Sequence, residues 1–527
     1  MSLFNSVYKP DVLTCLSDLS NDEVMTPPDI ANRMLDLLPK EIWHNPSIKI
    51  LDPACKSGVF LREAAKRFIE GEKDIYPDLQ ERCDHIFKDQ LYGIAITELT
   101  SLLSRRSLYC SKYPNGPFSI VHFDDVEGNV HYSITKHTWD STGKCIFCGA
   151  TEDKFGEDQR KGLESHAYQF IHTIRPEDIF NMHFDVIISN PPYQVSTGGG
   201  IDSTKAAKQA MPIYNKFIEQ AKKLNPRYMC MIVPARWYNG GIGLDEFRRN
   251  MLNNHHIVKL VDYVNSKDAF QGVNIAGGVC YFLWSRDNTA DECTVVNISG
   301  DSSNTMKRRL NEYGDIFIRS NESISIINKV KNKATNGFLS DMVSAIDTFG
   351  IPSKEHGHSI KKDGDIVLLH SVGSNKQGKD YIARSGVKKN QNLIDKYKVK
   401  ISMMIPQNGE VGIDPAKGYR SIASPYLLYP GEVDTFSYLN IGFFDTEEEA
   451  TNYFYYIQCK FVRFMLRVTY SGVHISKNNF IFAPIMDFHH RWTDEELYRY
   501  FELSKDEINM IESTMRPMNE KVGDDNA

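Results

Sequence analysis

The chain has 527 residues, too many for one ordinary core, so two or three domains are expected. Its 41% hydrophobic and 24% charged residues exclude a disordered or fibrous chain, and a formal net charge of -7 excludes a uniformly basic nucleic-acid coat while leaving room for a local basic cleft. No apolar run approaches the roughly 20 residues of a spanning helix, residues 1–10 show no secretory pattern, and ten scattered cysteines suit a reducing, cytoplasmic setting with no membrane partner.

In chain order, Thr26-Pro27-Pro28-Asp29 opens a helix, with Thr26 as its cap and proline at an early position. Residues 48–51 form a short apolar strand ending at Asp52, and after a small-residue turn residues 59–68 form a helix. A second strand covers 91–94 and a helix 97–109. Residues 184–189 read as a buried strand, stopped by Asn190-Pro191-Pro192-Tyr193. A helix over 214–224 and strands over 228–233, 258–264 and 279–284 complete the pattern. Strands alternating with helices imply an α/β class with a mostly parallel, Rossmann-like sheet and ligands at the strand carboxyl ends.

From about residue 286 the sequence turns polar and irregular. A strand is expected at 366–369, one or two helices over 446–468, and a charged amphipathic helical end over 493–515. The expected division is a first domain over 1–290, with an insertion at about 127–175, and a mixed α/β second domain over 291–527. Between Lys354 and Lys400 eleven Lys or Arg stand against five Asp or Glu. Such a run is either a solvated face or a phosphate-contacting surface.

The tetrapeptide Asn190-Pro191-Pro192-Tyr193 carries the most chemistry. An exocyclic amine on a nucleobase is a poor nucleophile, because its lone pair is delocalised into the ring. A site that accepts both N–H protons, from the Asn190 side-chain oxygen and the Pro191 carbonyl, pulls the nitrogen toward sp³ geometry and frees the lone pair to attack a methyl sulfonium. Prolines hold that backbone in place, and Tyr193 offers an aromatic face to an unstacked base. A plain Pro-rich turn has the same composition; what favours the chemical reading is the preceding strand and turn, Ile50-Leu51-Asp52-Pro53-Ala54-Cys55-Lys56-Ser57-Gly58. Small residues there let a cofactor approach the backbone, and the helix start aims amide donors at a carboxylate.

With these motifs in this order, the chain resembles the gamma-group, TaqI-like adenine-N6 DNA methyltransferases of restriction–modification systems. The resemblance implies that Thr26, Pro27, Asp52, Pro53, Ala54 and Gly58 bind S-adenosylmethionine, and that Asn190, Pro191, Pro192 and Tyr193 are catalytic. It also implies a second aromatic wall around a flipped adenine, for which Phe270 is the candidate beside the alternative of a core phenylalanine. Two positions depart from the family pattern. Lys56 stands where most relatives have glycine, and Ala95 where an acid grips the ribose, leaving Thr97 or Glu98 as substitutes. The acid contacting the cofactor adenine is either Asp124 or Asp125, ahead of Asp178.

Cys145-Ile146-Phe147-Cys148-Gly149 has the spacing of half a zinc knuckle, with Cys110, His131, His137, His166 and His172 available as further ligands; two inert thiols are the alternative. Arg384, Lys388 and Lys389 are the candidate phosphate contacts in the basic stretch, and Arg236 faces the DNA side of the cleft. The expected partner is double-stranded DNA, and any restriction endonuclease is expected to be a separate chain, since too few residues precede Thr26 for a nuclease domain and no nuclease carboxylate–lysine cluster is evident after it. The rival readings are an RNA or protein amine methyltransferase and a non-catalytic DNA specificity subunit.

Overall fold

The apolar runs of the first half pair into one nine-stranded sheet. Its strands are β1 (Ile50–Cys55), β2 (Leu91–Ala95), β3 (Val130–His131), β4 (Val186–Ser189), β7 (Tyr228–Pro234), β8 (Ile257–Tyr263), β9 (Val279–Ser285), β10 (Cys293–Ser299) and β11 (Ser302–Arg308). A separate antiparallel pair, β5 (Gln194–Val195) and β6 (Met211–Pro212), stands beside them. The computed structural model describes residues 24–157, 165–195, 211–241, 243–275, 277–372, 377–406, 418–470 and 474–518; the expectation made for residues 1–10 lies outside these.

The strand order is β11-β10-β8-β9-β7-β4-β1-β2-β3. The chain runs outward from β1 through β2 to β3, then returns to the other side of β1 with β4 and continues through β7. The order therefore reverses between β1 and β4, and parallel sheets bind ligands at the carboxyl ends of strands at such a switch point. β1 pairs in parallel with β4 through Ile50–Val186 and Leu51–Ile187. Every residue of β1, β2 and β4 is buried, which is why these strands read as apolar runs without alternation. β9 lies antiparallel between β7 and β8.

The helices of this unit include α1 (Pro28–Leu35), α2 (Val59–Gly71), α3 (Glu98–Tyr109), α4 (Tyr214–Lys223) and α5 (Asp245–Leu252). α2 buries Val59, Phe60, Leu61, Ala64, Ala65 and Phe68, one face at helical spacing, against the sheet core.

The chain divides into two compact units, Met1–Asp315 and Ile316–Ala527, and not near residue 290. The extra length is β10, parallel to β8, and β11, antiparallel to β10 at the sheet edge. β11 is mostly exposed and correspondingly polar, so its pairing leaves no hydrophobic mark in the sequence.

The second unit has two three-stranded sheets, ordered β13-β12-β16 and β15-β14-β17, from β12 (Asp365–Ser371), β13 (Gln377–Ala383), β14 (Tyr397–Ser402), β15 (Tyr426–Leu428), β16 (Glu432–Asp434) and β17 (Tyr438–Phe444). Its helices include α6 (Ser323–Lys333), α7 (Glu447–Tyr456), α8 (Lys460–Arg467), α9 (Asp494–Tyr500) and α10 (Lys505–Thr514). The helical end expected over 493–515 is thus two helices. Thr493 and Ser504 each form their own capping box, and Glu502 between them has a φ of +53°. No described helix is long and apolar enough to cross a membrane.

Candidate active site

Asp52 lies within β1 and Ser189 ends the neighbouring β4, and their side chains meet. The Ser189 hydroxyl donates to Asp52 Oδ1 at 2.6 Å, and the Ala54 amide donates to the same oxygen at 3.2 Å. Burial pushes the Asp52 carboxyl up to about 6, against the opposing effect of the Ser189 hydrogen bond. Ser189 was not singled out in the sequence, although one polar residue closing an apolar strand is a usable signal.

The turn after β1 is held from behind. Gly58 caps α2 with a φ of +73°, and a Cβ there would stand 3.1 Å from the Ser104 Cα. Glycine is required on both grounds. The Ser104 hydroxyl donates to the Lys56 carbonyl at 3.0 Å, fixing the turn from α3. Lys56 itself is 6% exposed and turned inward, where its Nζ donates to the Val24 carbonyl at 3.1 Å. It is a strut of the pocket wall, not a reach toward phosphate.

Asn190 follows Ser189 directly and is 2% exposed. Its Nδ2 donates to the Val24 carbonyl and to Thr26 Oγ1, both at 3.0 Å. Those two bonds fix the amide orientation and leave Oδ1 buried without a hydrogen-bond partner among the described residues. A buried acceptor left unpaired costs about 1–3 kcal/mol, a cost that a donor on a bound ligand would relieve. Contrary to the expectation from the sequence, Thr26 does not cap α1. Pro27 occupies the N-cap without a side-chain bond, and the Thr26 hydroxyl is turned to Asn190 instead.

Pro191, Pro192 and Tyr193 are buried at the same strand end. The Tyr193 hydroxyl is buried without a hydrogen-bond partner among the described residues, and burial drives its phenol well above the usual range. Phe270 is 1% exposed and belongs to the same hydrophobic cluster as Tyr193. Arg236 is exposed on the turn that follows β7, at the same carboxyl-end rim as Asn190.

Three other expectations change. The Thr97 hydroxyl accepts from the Thr100 amide at 3.1 Å and donates to Thr100 Oγ1 at 3.0 Å, so it is committed to capping α3 rather than to a ribose. Glu98 beside it is exposed. Asp124 and Asp125 precede β3, which runs parallel to β2, and therefore lie at the amino-terminal rim, opposite Asn190. There Asp125 accepts the Glu127 and Gly128 amides, each at 2.7 Å, as a turn residue.

In the second unit Arg384 makes a two-pronged ion pair with Asp395, and Lys389 pairs with Asp347 at 2.7 Å, so neither is an unopposed charge; Lys388 is exposed. Lys398 and Lys400, counted in the basic stretch, are fully buried. Lys398 is held by the Ile394 and Lys396 carbonyls, and Lys400 lies 3.6 Å from the centre of the Tyr438 ring.

Residues 89–270 match the Eco57I restriction-modification methylase family. An uncharacterized adenine-specific methylase of Mycoplasma pneumoniae is 36% identical over 304 residues, which cover 53% of this chain and 71% of that protein. The chain belongs to the adenine-specific methylase family. Solved structures similar to the methylase include the type IIL restriction-modification enzyme MmeI in complex with DNA, at 10% identity and a TM-score of 0.43 over 97% of this chain and 76% of that one. A modification subunit of a putative type I restriction enzyme from Vibrio vulnificus matches at 14% identity and a TM-score of 0.33 over 63% of this chain. The methylase spans 59% of the length of that subunit.

The pocket residues of the methylase fit S-adenosylmethionine, the methyl donor that the methyltransferase family implies. Asp52 is a buried acceptor at the switch point, and the Gly58 turn has no room for a side chain.

Proposed function

We propose that Asn190 Oδ1 and the Pro191 carbonyl accept the two N6 protons of an adenine extruded from duplex DNA. The activity itself, DNA adenine methylation, comes with the family. What carries the assignment to this site is the unpaired, buried Asn190 Oδ1, an acceptor whose orientation is fixed by Val24 and Thr26 before any ligand arrives. Two accepted protons draw the amine toward sp³ geometry and localise its lone pair, and preorganised acceptors do this without reorganising. Pro191 and Pro192 keep the backbone carbonyl from rotating away.

Thr26, Pro27, Asp52, Pro53, Ala54 and Gly58 hold S-adenosylmethionine, which supplies an electrophilic methyl sulfonium. Tyr193 and Phe270 are the two walls around the base, and Arg236 meets the DNA strand at the rim. Lys388, with Arg384 and Lys389 once released from their carboxylates, contacts phosphates nonspecifically. The gamma-type motif order and a separate restriction endonuclease as partner belong to the same reading. Cys145 and Cys148 hold a structural metal ion that takes no part in the transfer.

The test is tritiated methyl transfer from S-adenosylmethionine to mixed-sequence duplex DNA, followed by digestion to nucleosides. Label in N6-methyl-deoxyadenosine is the expected result. Cofactor binding without DNA label moves the substrate to RNA or protein, and absence of both leaves a DNA-binding specificity subunit.

A further inference from the structure

After β3 the chain leaves the carboxyl-end rim of the sheet and folds into a small knuckle. The Gly149 amide donates to the Cys145 carbonyl at 2.8 Å and the Cys145 amide to the Ala150 carbonyl at 2.7 Å, closing a tight turn in which Gly149 has a φ of +75°. Isolated bridges Trp139–Cys145 and Lys144–Thr151 flank it. The turn brings two reduced, buried thiols together, 3% and 4% exposed.

Two histidines distant in sequence close on that pair. The ligand atoms of His137, Cys145, Cys148 and His172 all lie within 4.8 Å of one another, and Cys148 Sγ is 3.5 Å from His137 Nδ1. Ligands around a tetrahedral zinc ion are separated by about 3.4–3.8 Å, given Zn–N and Zn–S bonds of about 2.0 and 2.3 Å.

The outer contacts of both imidazoles point the same way. His137 Nε2 is 2.7 Å from the Ser165 carbonyl, and His172 Nδ1 is 2.9 Å from the Tyr168 carbonyl. A carbonyl only accepts, so each of these nitrogens carries the proton. The lone pair of each neutral ring then sits on the opposite nitrogen, His137 Nδ1 and His172 Nε2. His172 Nε2 is buried, and among the described residues no group meets it at hydrogen-bond geometry, while its side chain lies close enough to Cys145 to act on that thiol. Metal-bound histidines are oriented by such outer carbonyls.

We propose that His137 Nδ1, Cys145 Sγ, Cys148 Sγ and His172 Nε2 bind one zinc ion, and that this ion holds the β5–β6 pair beside the Asn-Pro-Pro-Tyr motif in place. Four protein ligands complete the tetrahedron, which makes the site structural. Binding deprotonates both thiols, releasing two protons per ion.

The link to the active site is continuous. A Cβ on Gly149 would stand 3.0 Å from Met211 Cε, so the knuckle turn rests on that side chain. Met211 pairs with Val195, and the Ile213 amide donates to the Tyr193 carbonyl at 3.2 Å. On the other side Gln220 of α4 donates to the Phe170 and Thr173 carbonyls, at 2.9 and 2.8 Å, anchoring the loop that carries His172. The ion thus joins the knuckle, the His172 loop and the β5–β6 pair. The positioning half rests on the methyltransferase reading of Tyr193; the metal half does not.

Metal analysis of the purified full chain by plasma mass spectrometry is expected to give one zinc per chain, and none for Cys145→Ser/Cys148→Ser. Exchange into cobalt is expected to give thiolate charge-transfer and tetrahedral d–d absorption bands. His172→Ala weakens zinc by more than the roughly 10–100-fold that loss of an outer contact costs. A folded wild-type protein that carries no zinc and takes up neither ion overturns the site. In chelator-treated protein that stays folded, hydrogen exchange at the Ile213 amide is expected to rise about tenfold or more, with S-adenosylmethionine binding kept and methyl transfer slowed. Unchanged Ile213 exchange overturns the positioning role. Zinc present with no methyl transfer by the wild type leaves the metal site standing and removes the functional reading.

Discussion

Replacing Asn190 with alanine separates chemistry from folding, because the structure predicts a large effect on one and a small effect on the other. The wild-type amide donates two hydrogen bonds of 3.0 Å, to Val24 and Thr26. Each contributes about 1 kcal/mol. The Val24 carbonyl keeps its bond from Lys56 Nζ, so it is not left unpaired in the variant. Truncation also removes the buried, unpartnered Oδ1, whose presence costs about 1–3 kcal/mol in the empty site. The two contributions oppose each other, and folding stability is expected to change by about 1 kcal/mol or less. The transition state loses a preorganised polar partner, an effect of about 2.7–4 kcal/mol, or 10²–10³-fold in kcat. The assay is single-turnover transfer of tritiated methyl at saturating DNA, with cofactor Kd from calorimetry and unfolding by differential scanning fluorimetry on the same preparation. A transfer rate within about threefold of wild type refutes the assignment of Asn190. So does a loss of activity matched by loss of cofactor binding or of the folded state.

Asp52→Asn tests the buried carboxyl by pH. The folded-state value of about 6 lies above the ordinary value of 3.8, so its contribution favours the fold fully below about pH 4 and is lost as pH climbs through about 6. Urea unfolding is expected to show wild type losing about 3 kcal/mol relative to Asp52→Asn between pH 4 and 8, and parallel curves for the two proteins would remove the burial argument. Gly58→Ala places a Cβ near Ser104 at a φ of +73°, and should lose about 1–2 kcal/mol and bind S-adenosylmethionine more weakly by calorimetry. For Phe270, alanine is expected to cost about 3–5 kcal/mol through packing alone. Phe270→Leu keeps the side chain apolar, so a fall of about tenfold in transfer with the melting point nearly held marks the base-clamping role, and an unchanged rate assigns Phe270 to the core.

What the sequence makes legible follows physical scale. Strands buried on both faces, such as β1 and β4, announce themselves as apolar runs, and the turns that follow them carry the chemistry. Edge strand β11 carries no such mark, because one side faces solvent and its stability comes from main-chain pairing with β10. Lys398 and Lys400 look like surface charge until β14 places both inside, one on carbonyls and one over an aromatic ring. Position 56 was visible as a departure, but its partner is a main-chain oxygen 32 residues earlier, which no side-chain pattern reveals. Asp124 and Asp125 were misplaced for a topological reason. Residues before a parallel strand lie at the rim opposite those after it, and only the pairing of β3 with β2 fixes which rim is which.

The Val24 carbonyl receives both Lys56 Nζ and Asn190 Nδ2. That shared acceptor belongs to the backbone, so mutation of the residue that owns it leaves it in place. Replacing Val24 by another aliphatic residue that fills its buried site keeps both bonds, whereas truncating Lys56 or Asn190 removes one of them. A one-residue insertion or deletion between Val24 and α1 has the opposite effect. It removes the oxygen from both donors at once, unpinning the turn after β1 and the motif after β4 in a single event. At position 24 the pocket therefore tolerates a change of side chain better than a change of spacing.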